Sequence, residues 1–155
     1  MAGGAGISGD VHIGGQVITP NRPAFRIYGV NSTNWTTANV NLKGSGIAVD
    51  YNQGSHFNST TGIFTAPIAG LYQITLNVRI GNNNGNNQVM VIRNGLTSGG
   101  NVAVMWESDT NTGTAVHYGV STVMKLAVGD LLSANITVGS VQFDANDSWT
   151  VTYIG

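Results

Sequence analysis

Few residues in this chain are of a type that could carry out acid–base or nucleophilic chemistry. It has three histidines, His12, His56 and His117, and no cysteine. Nucleophilic catalysis needs a serine or cysteine beside a positioned base, and no serine here stands in a nucleophile-elbow sequence. His117 lies between Val116 and Tyr118, a strand-like setting that favours a sheet or interface residue. A metal-dependent enzyme would need a cluster of His and Glu ligands, which the sequence does not show. We therefore expect no catalytic residue and no enzymatic activity.

Carboxylates offer a second kind of chemistry. Asp144 and Asp147 precede the last apolar run of the chain, where Asp side chains typically form turns. Together with Asp109 or Glu107 from another loop, they would alternatively supply the several oxygen ligands that calcium needs. No pair of histidines has metal-ligand spacing. We expect no cofactor and no bound metal, and calcium binding remains the alternative.

Charge is the most unusual part of the composition. The 155 residues include only 6 basic and 7 acidic residues, or 8%, against about a quarter in average soluble domains. Six scattered cations cannot form a phosphate-binding face, which excludes nucleic acid as a partner class. No apolar run approaches the ~18 residues of a membrane span, so we expect no membrane insertion. The absence of cysteine excludes disulfides, and the first ten residues have neither the basic nor the apolar region of a secretory signal.

Apolar and polar residues alternate through most of the chain from Ala24 onward. The longest alternation, at 70–80, places on one face Tyr72, Ile74, Leu76, Val78 and Ile80. Other strand-like segments lie at 24–28, 46–51, 62–65, 88–93, 101–106, 115–126, 130–138 and 148–154. No window shows the period of an amphipathic helix. The sequence predicts an all-β jelly-roll sandwich of about ten antiparallel strands, with almost no helix.

The first 22 residues differ from this pattern. They contain six glycines and two short apolar alternations, and a segment so rich in glycine cannot bury a core of its own. We interpret residues 1–22 as a Gly-rich N-terminal arm that becomes ordered against a neighbour, and residues 23–155 as one folded domain. The residues predicted to anchor the arm are Val11, Ile13, Val17 and Ile18.

Two polar segments between predicted strands, 81–87 and 107–114, contain no apolar residue. Loops on a rigid sandwich often carry binding function, and simple chain reversal is the plainer interpretation of the same segments. The residues predicted as outer-loop contacts are Asn83, Asn84, Asn86, Asp109 and Asn111.

The most specific pattern lies within residues 52–72. An aromatic residue, Phe57, is followed by Gly62-Ile63-Phe64, then by Pro67, and then by Gly70-Leu71-Tyr72. In physical terms, a strand begins at Phe57, the first glycine turns the chain and Phe64 returns to the core. Pro67 and the second glycine then shape a tight corner before the tyrosine enters the next long strand.

This window resembles the signature of the C1q/TNF-like jelly-roll superfamily, and the resemblance extends over about residues 23–155. Further matches are Pro23-Ala24-Phe25 to the first strand, Arg93-Asn94-Gly95 to the Asn-Gly turn, Leu126 to Asp130 to a Leu-x-x-Gly-Asp segment, and Trp149 to Ile154 to the closing strand. The chain departs from the family at Ile74, where an aromatic is usual, and in its closing strand, which lacks Phe-x-Gly-Phe. No collagen-like repeat precedes the domain. These departures argue against a close animal C1q relative, not against the jelly roll.

The resemblance implies a compact homotrimer, with apolar and aromatic residues near the threefold axis buried between protomers and outer loops that recognise partners. Strand position assigns to the trimer interface Tyr72, Tyr118, Trp149 and Tyr153. A buried subunit face cannot tolerate unpaired charges, which agrees with the low charge of the chain.

The arm resembles the Gly-Gly-punctuated β segments that precede trimeric tips in tailed-phage fibres and head appendages. Together with the low charge and the lack of an export signal, it favours a virion structural protein assembled in the cytoplasm of a bacterial host. The arm would add strands to a capsid or tail protein of the same virion. Because the chain holds only an arm and a knob, a capsid decoration or cement role is favoured over a tail-fibre tip. The alternative is a C1q-like recognition module that binds a host-surface receptor or glycan through residues 81–87 and 107–114.

Overall fold

Thirteen β-strands make up most of the part of the chain that the computed structural model describes. The described residues are 8–10, 12, 14, 15, 22–30, 33–35, 40–80, 85–109 and 116–155. Within them the helical content is one 3₁₀ turn, Gly44–Gly46. No helix of the described part is long and apolar enough to cross a membrane.

The strands follow the alternating segments of the sequence. They are β1 (Ala24–Gly29), β2 (Thr33–Trp35), β3 (Val40–Asn41), β4 (Ile47–Gln53), β5 (Phe57–Asn58), β6 (Ile63–Thr65), β7 (Gly70–Ile80), β8 (Gly85–Arg93), β9 (Val102–Asp109), β10 (Val116–Leu126), β11 (Leu131–Val138), β12 (Val141–Phe143) and β13 (Ser148–Tyr153). All their pairings are antiparallel. The prediction of an all-β protein with antiparallel strands is confirmed.

Sheet 1 contains seven strands around β7. On one side, β10 pairs with β7 over the full length of both strands. On the other side β13 pairs with β7, β1 with β13, and β4 with β1. The short strand β12 pairs with the far end of β7 and with β2.

Sheet 2 contains six strands in the order β5-β6-β11-β8-β9, with β3 beside β11. Its largest unit is the β8–β9 hairpin, whose register runs from Gly85 opposite Asp109 to Ile92 opposite Val102. The strand order alternates between distant parts of the chain, as in a sandwich built from long crossovers.

The core lies between the two sheets and is filled by the inward residues of each strand. Tyr72, Ile74, Leu76 and Val78 of β7 are fully buried, as their alternation predicts. An aromatic cluster joins the sheets at one end and consists of Phe25, Phe57, Phe64, Tyr72 and Trp149. Phe25 stacks on Phe57 with ring centroids 4.4 Å apart and meets Trp149 edge-on at 4.9 Å. Burial of such side chains contributes roughly 1.5–3 kcal/mol each relative to exposure.

The corner between Phe57 and Tyr72 has the conformation that its residues predict. Gly62 adopts a φ of +70°, where a Cβ would meet the Leu42 carbonyl oxygen at 2.6 Å, so a glycine is required. Oδ1 of Asn52 accepts a hydrogen bond from the Phe57 N–H at 3.0 Å, and Nδ2 of Asn52 donates to the Phe57 carbonyl at 2.8 Å. The Tyr72 hydroxyl donates to the Ile68 carbonyl at 2.7 Å, which ties the corner to the start of β7.

The structure differs from the sequence prediction mainly in its short strands and in the β8–β9 hairpin. Strands β2, β3 and β12 were not predicted, because two or three residues are too few to show a period. Strands β8 and β9 extend into the polar segments that composition assigned to loops, since cross-strand hydrogen bonding there does not depend on apolar side chains.

Candidate functional site

The centre of the outward face of sheet 1 carries small, uncharged polar side chains. One row across the sheet places Ser121 of β10, Thr75 of β7 and Thr150 of β13 side by side. Thr75 Oγ1 lies 3.1 Å from Ser121 Oγ. The adjacent rows contribute Gln73, Thr152, Asn77 and Ser148. These residues alternate with buried ones along each strand, so the pleat directs them away from the core.

Exposed apolar side chains flank this uncharged centre. Tyr51 on the edge strand β4 and Val123 on β10 are 42% and 52% exposed. Leu71 at the start of β7 is exposed to a similar degree. We call the polar rows and these three flanking residues the assembly face. Removing charged side chains from water costs free energy, and the central rows of this face carry none. The face is therefore suited to burial against another protein.

Charged side chains border the central rows of the assembly face. Arg26 lies between Thr150 and Tyr51 in the register, and Lys125 lies opposite Leu71. Arg26 Nη1 lies 2.9 Å from Asp50 Oδ2 at the β4 edge. Arg79 Nη1 lies 3.2 Å from Asp144 Oδ2 at the far end of β7. A paired charge costs less to bring near a buried surface than an isolated one.

A cluster of four ionisable side chains, Arg79, His117, Asp144 and Asp147, lies at that far end. Nδ1 of His117 is 3.3 Å from Oδ1 of Asp147, with the histidine side chain 51% exposed and the carboxyl 0% exposed. Burial raises the pKa of Asp147. The backbone N–H of Asp144 lowers this pKa, the Asp144 carboxylate raises it, and His117 lowers it. Desolvation therefore dominates, and the ionised form of Asp147 is disfavoured.

The turn role predicted for Asp144 and Asp147 is confirmed. Oδ2 of Asp147 accepts the Asp144 N–H at 2.8 Å, and Oδ1 of Asp144 accepts the Asn146 N–H at 2.9 Å. The described residues contain no group of three His, Asp or Glu side chains that could hold a metal ion. The side chains of Glu107 and Asp109 lie outside the described residues, so their participation in a calcium site stays a prediction.

At the opposite end of the sandwich, Asn94 joins two turns that are far apart in sequence. Its Nδ2 donates to Asp130 Oδ1, and its Oδ1 accepts the Leu131 N–H, both at 2.7 Å. Asp130 Oδ2 accepts the Ala127 N–H at 2.9 Å. The Asn94 amide, and after it the Ala127 N–H, lower the pKa of Asp130. The Asn-Gly turn after β8 and the Gly-Asp turn before β11 thus form one hydrogen-bonded unit.

Comparison with known proteins places this sandwich in a family. The family model for the C1q domain matches residues 31–151. The chain belongs to the C1q domain family. A comparison with curated protein sequences gives no match.

Solved structures show the same fold as this C1q domain. The globular domain of zebrafish complement 1qA protein matches with a TM-score of 0.66 and 12% identity, covering 86% of this chain and 98% of that chain. Eiger TNF from S. frugiperda matches with a TM-score of 0.63 and 12% identity, covering 86% and 94%. Murine APRIL at pH 5.0 matches with a TM-score of 0.60 and 14% identity, covering 86% and 99%. The predicted C1q/TNF-like jelly roll is confirmed.

Two of the four aromatic residues predicted for the trimer interface need correction. Tyr72 and Trp149 are fully buried inside the single C1q domain, so neither side chain has surface left for another protomer. Tyr118 and Tyr153 are partly buried and pack against the core, and their interface role stays a prediction. The alternation of each strand could have shown this, because successive residues point to opposite faces of a sheet. The residues next to Tyr72 and Trp149 along the chain, not these aromatics, form the accessible face.

The residues predicted as outer-loop contacts divide into two groups. Asn86 lies in β8 and Asp109 ends β9, so strand replaces the predicted loop at 85–87 and 107–109. The side chains of both residues lie outside the described part of the chain. Asn83, Asn84 and Asn111 lie outside it altogether, and their contact role stays a prediction.

The residues predicted to anchor the arm, Val11, Ile13, Val17 and Ile18, also lie outside the described residues. The arm residues that the structure describes are Ser8, Gly9, Asp10, His12, Gly14, Gly15 and Arg22, and all are exposed. The chain enters the domain at Pro23, whose carbonyl accepts the Tyr153 N–H at 2.9 Å. The predicted division into arm and domain is therefore neither supported nor contradicted.

Proposed function

We propose that this C1q domain forms a homotrimer through the assembly face and acts as a non-enzymatic structural protein of a tailed-phage virion. In this role the jelly roll is a knob on the capsid, as a decoration or cement protein, or on an appendage. Residues 1–22 anchor it to a capsid or tail protein. The observation that carries the proposal is the uncharged centre of the outward face of sheet 1, which is formed by Ser121, Thr75 and Thr150.

The composition of this face supports subunit packing. The cores of protein interfaces are depleted of charged residues and enriched in aromatic ones. Tyr51, Leu71 and Val123 supply apolar area at the flanks of the assembly face. Small side chains at its centre allow a second protomer to approach closely. A compact homotrimer is also what the family resemblance implies.

The ionisable residues support a structural rather than a catalytic role. Asp144 and Asp147 accept backbone hydrogen bonds within one turn. Asp130 connects to Asn94 and fixes the start of β11. The hydrogen bonds of these carboxylates stabilise turns. The free energy of subunit association would then come from burying surface between subunits.

The placement in a virion rests on the sequence. A glycine-rich arm with short Val/Ile alternations precedes a domain that is low in charge and lacks cysteine. Such an arm can add a strand to the sheet edge of a neighbouring protein, which provides main-chain hydrogen bonds without a preformed pocket. Assembly would take place in the host cytoplasm, and the mature location would be the virion.

The native mass of the full-length protein tests the trimer. We expect a species of three times 16.1 kDa, about 48 kDa, in sedimentation equilibrium. Thr75→Glu places a charge in the centre of the assembly face and should give a folded monomer. Thr60→Glu, at an exposed turn between β5 and β6, is the matched control and should stay trimeric. A wild-type monomer, or a Thr75→Glu trimer of unchanged stability, would contradict the proposal.

Virions assembled without this protein test the anchoring role. Purified full-length protein should bind them, and the protein lacking residues 1–20 should remain a trimer that no longer binds. Binding by the truncated protein would refute anchoring by the arm. If the full-length protein bound bacterial surface glycans but not these virions, the recognition module would replace the structural role.

A further inference from the structure

Exposed apolar side chains concentrate at the end of the sandwich where β1 begins and β13 ends. Of the nine large hydrophobic side chains exposed in the described residues, six lie in loops or strand ends here. Leu71 belongs to the assembly face, and the other five form what we call the terminal patch: Ile68, Leu96, Val128, Leu131 and Ile154. Val128 and Leu96 are the two most exposed of the nine, at 67% and 53%. Exposed apolar patches on soluble domains mark sites of interaction.

Backbone hydrogen bonds hold the loops of the terminal patch together. The Ala66 N–H donates to the Asp130 carbonyl, and the Gly129 N–H donates to the Ala66 carbonyl, both at 2.8 Å. The Asn94 N–H donates to the Leu131 carbonyl at 2.9 Å, and the Ile154 N–H donates to the carbonyl of Leu71 at 2.8 Å. These bonds join the turns that carry Leu96, Val128 and Leu131 to the segment just before Ile68, and they join Ile154 to the start of β7.

The surroundings of the terminal patch are basic. Arg22 and Lys125 are exposed, and the Arg22 guanidinium lies 5.6 Å from the centre of the Tyr153 ring. Arg93 donates to the Lys125 carbonyl at 3.0 Å. Asp130, the acidic residue of the turn at 127–130, is held by Asn94 and faces the neighbouring turn. A partner surface that carries carboxylates would complement this rim.

The arm leaves the domain at this same end. Pro23 is joined to Tyr153 by a backbone hydrogen bond, and Arg22 lies against the Tyr153 ring. A partner that contacts the end of the arm next to Arg22 would also lie beside the terminal patch. A partner that accepts an added strand must offer a sheet edge, which a protein has and a lipid surface lacks.

We propose that the terminal patch is a docking surface for the protein to which the arm is anchored, and that the contact surface of that partner is apolar at its centre and acidic at its rim. The inference rests on the proposed function and extends it, because the folded domain, and not only the arm, would then contact the partner protein. Arm and patch then bind one partner at two places, and each raises the effective concentration of the other.

Binding to virions that lack the protein tests the apolar part. The double variant Leu96→Ser/Val128→Ser should bind at least about tenfold more weakly, because each side chain buried on binding contributes that order of affinity. Val49→Ser, an exposed valine on the β4 edge, is the matched control and should bind like the wild type. Wild-type affinity of the double variant, with the arm deletion still unable to bind, would overturn the inference and leave the proposed function standing.

Charge reversal tests the basic rim. Lys125→Glu should weaken virion binding and reduce its dependence on salt concentration. Lys43→Glu, another exposed lysine, should change neither. An unchanged native mass of Lys125→Glu would show that the trimer is intact. Equal effects of the two variants would contradict an acidic partner rim.

The absence of cysteine allows a direct footprint of the contact. Val128→Cys should react with a maleimide about tenfold more slowly on virions than in the free protein, whereas Thr60→Cys should react equally in both. Equal reaction of Val128→Cys in both states would overturn the inference. Vesicles of equal parts phosphatidylcholine and phosphatidylglycerol test the lipid alternative. If the protein bound these vesicles through Lys125 and virions did not slow the reaction of Val128→Cys, the patch would be assigned to lipid instead. If the wild type did not bind virions at all, the proposed function and this extension would fail together.

Discussion

At the scale of single residues, Asp147 is the side chain whose environment conflicts most with its charge. Its carboxyl is fully buried, and burial raises its pKa above the ordinary 3.8. The folded state therefore holds this proton to a higher pH than the unfolded state does, and stability falls as pH rises through the range above 3.8. Asp147→Asn removes this titration and keeps an oxygen for the Asp144 N–H.

We expect Asp147→Asn to raise the free energy of unfolding at pH 7 by about 1 kcal/mol, a size that is typical of a single substitution. Urea unfolding at several pH values measures the effect. The gain should vanish as pH falls to the ordinary range of Asp, where both proteins are neutral at this position. Asp50→Asn, at an exposed carboxyl paired with Arg26, should show no such gain. A loss of stability for Asp147→Asn that appears only above the ordinary titration range of Asp would mean that the ion pair with His117 outweighs desolvation.

At the scale of elements, the turns after β8 and before β11 depend on the side chain of Asn94. It adopts a φ of +53° and bonds both Asp130 and the Leu131 N–H. Since Asn94 and the Ala127 N–H lower the pKa of Asp130, the stability that this carboxylate contributes is present above pH 3.8 and is lost as pH falls through its lowered pKa.

Asn94→Ala should lower the free energy of unfolding at pH 7 by about 1–2 kcal/mol, because the hydrogen bond from the Leu131 N–H and the charge-assisted bond to Asp130 are both lost. Denaturant unfolding at pH 7 and below pH 4 checks this, and the deficit should narrow, without closing, at the lower pH. Asn94→Gly keeps the left-handed backbone without the side-chain bonds. If Asn94→Gly were as stable as the wild type, backbone conformation alone would explain the role of Asn94.

At the scale of the whole molecule, the assembly face links folding to subunit association. A trimer that dissociates on unfolding is stabilised by mass action, so its unfolding temperature rises with protein concentration. We expect this rise for the wild type in differential scanning fluorimetry over a wide concentration range. Thr75→Glu should unfold at a temperature that does not depend on concentration, and Thr60→Glu should behave like the wild type. A wild-type unfolding temperature independent of concentration would contradict trimeric assembly.

Features that depend on neighbouring residues were accessible from the sequence. The alternation at 70–80 fixed which side chains of β7 face the core, because a strand turns successive residues to opposite sides. Gly62 and the Asn94-Gly95 pair marked turns, because few residues adopt a positive φ. Low charge and the aromatic-glycine-proline pattern at 52–72 were enough to indicate a jelly roll of the C1q/TNF type.

Features that depend on which strands become neighbours were decided by the tertiary structure. Sheet 1 brings Ser121 beside Thr75 and Thr75 beside Thr150, and Asn94 meets Asp130 across 36 residues of chain. The short strands β3 and β12 form against the longer strands β11 and β7, and β2 forms in turn against β12. Alternation gives two faces for every strand but does not say which face of a finished sheet meets another sheet and which stays accessible. That choice follows from packing between distant segments. In sheet 1 it buries Tyr72 and Trp149 against sheet 2 and leaves the alternate residues of the same strands accessible.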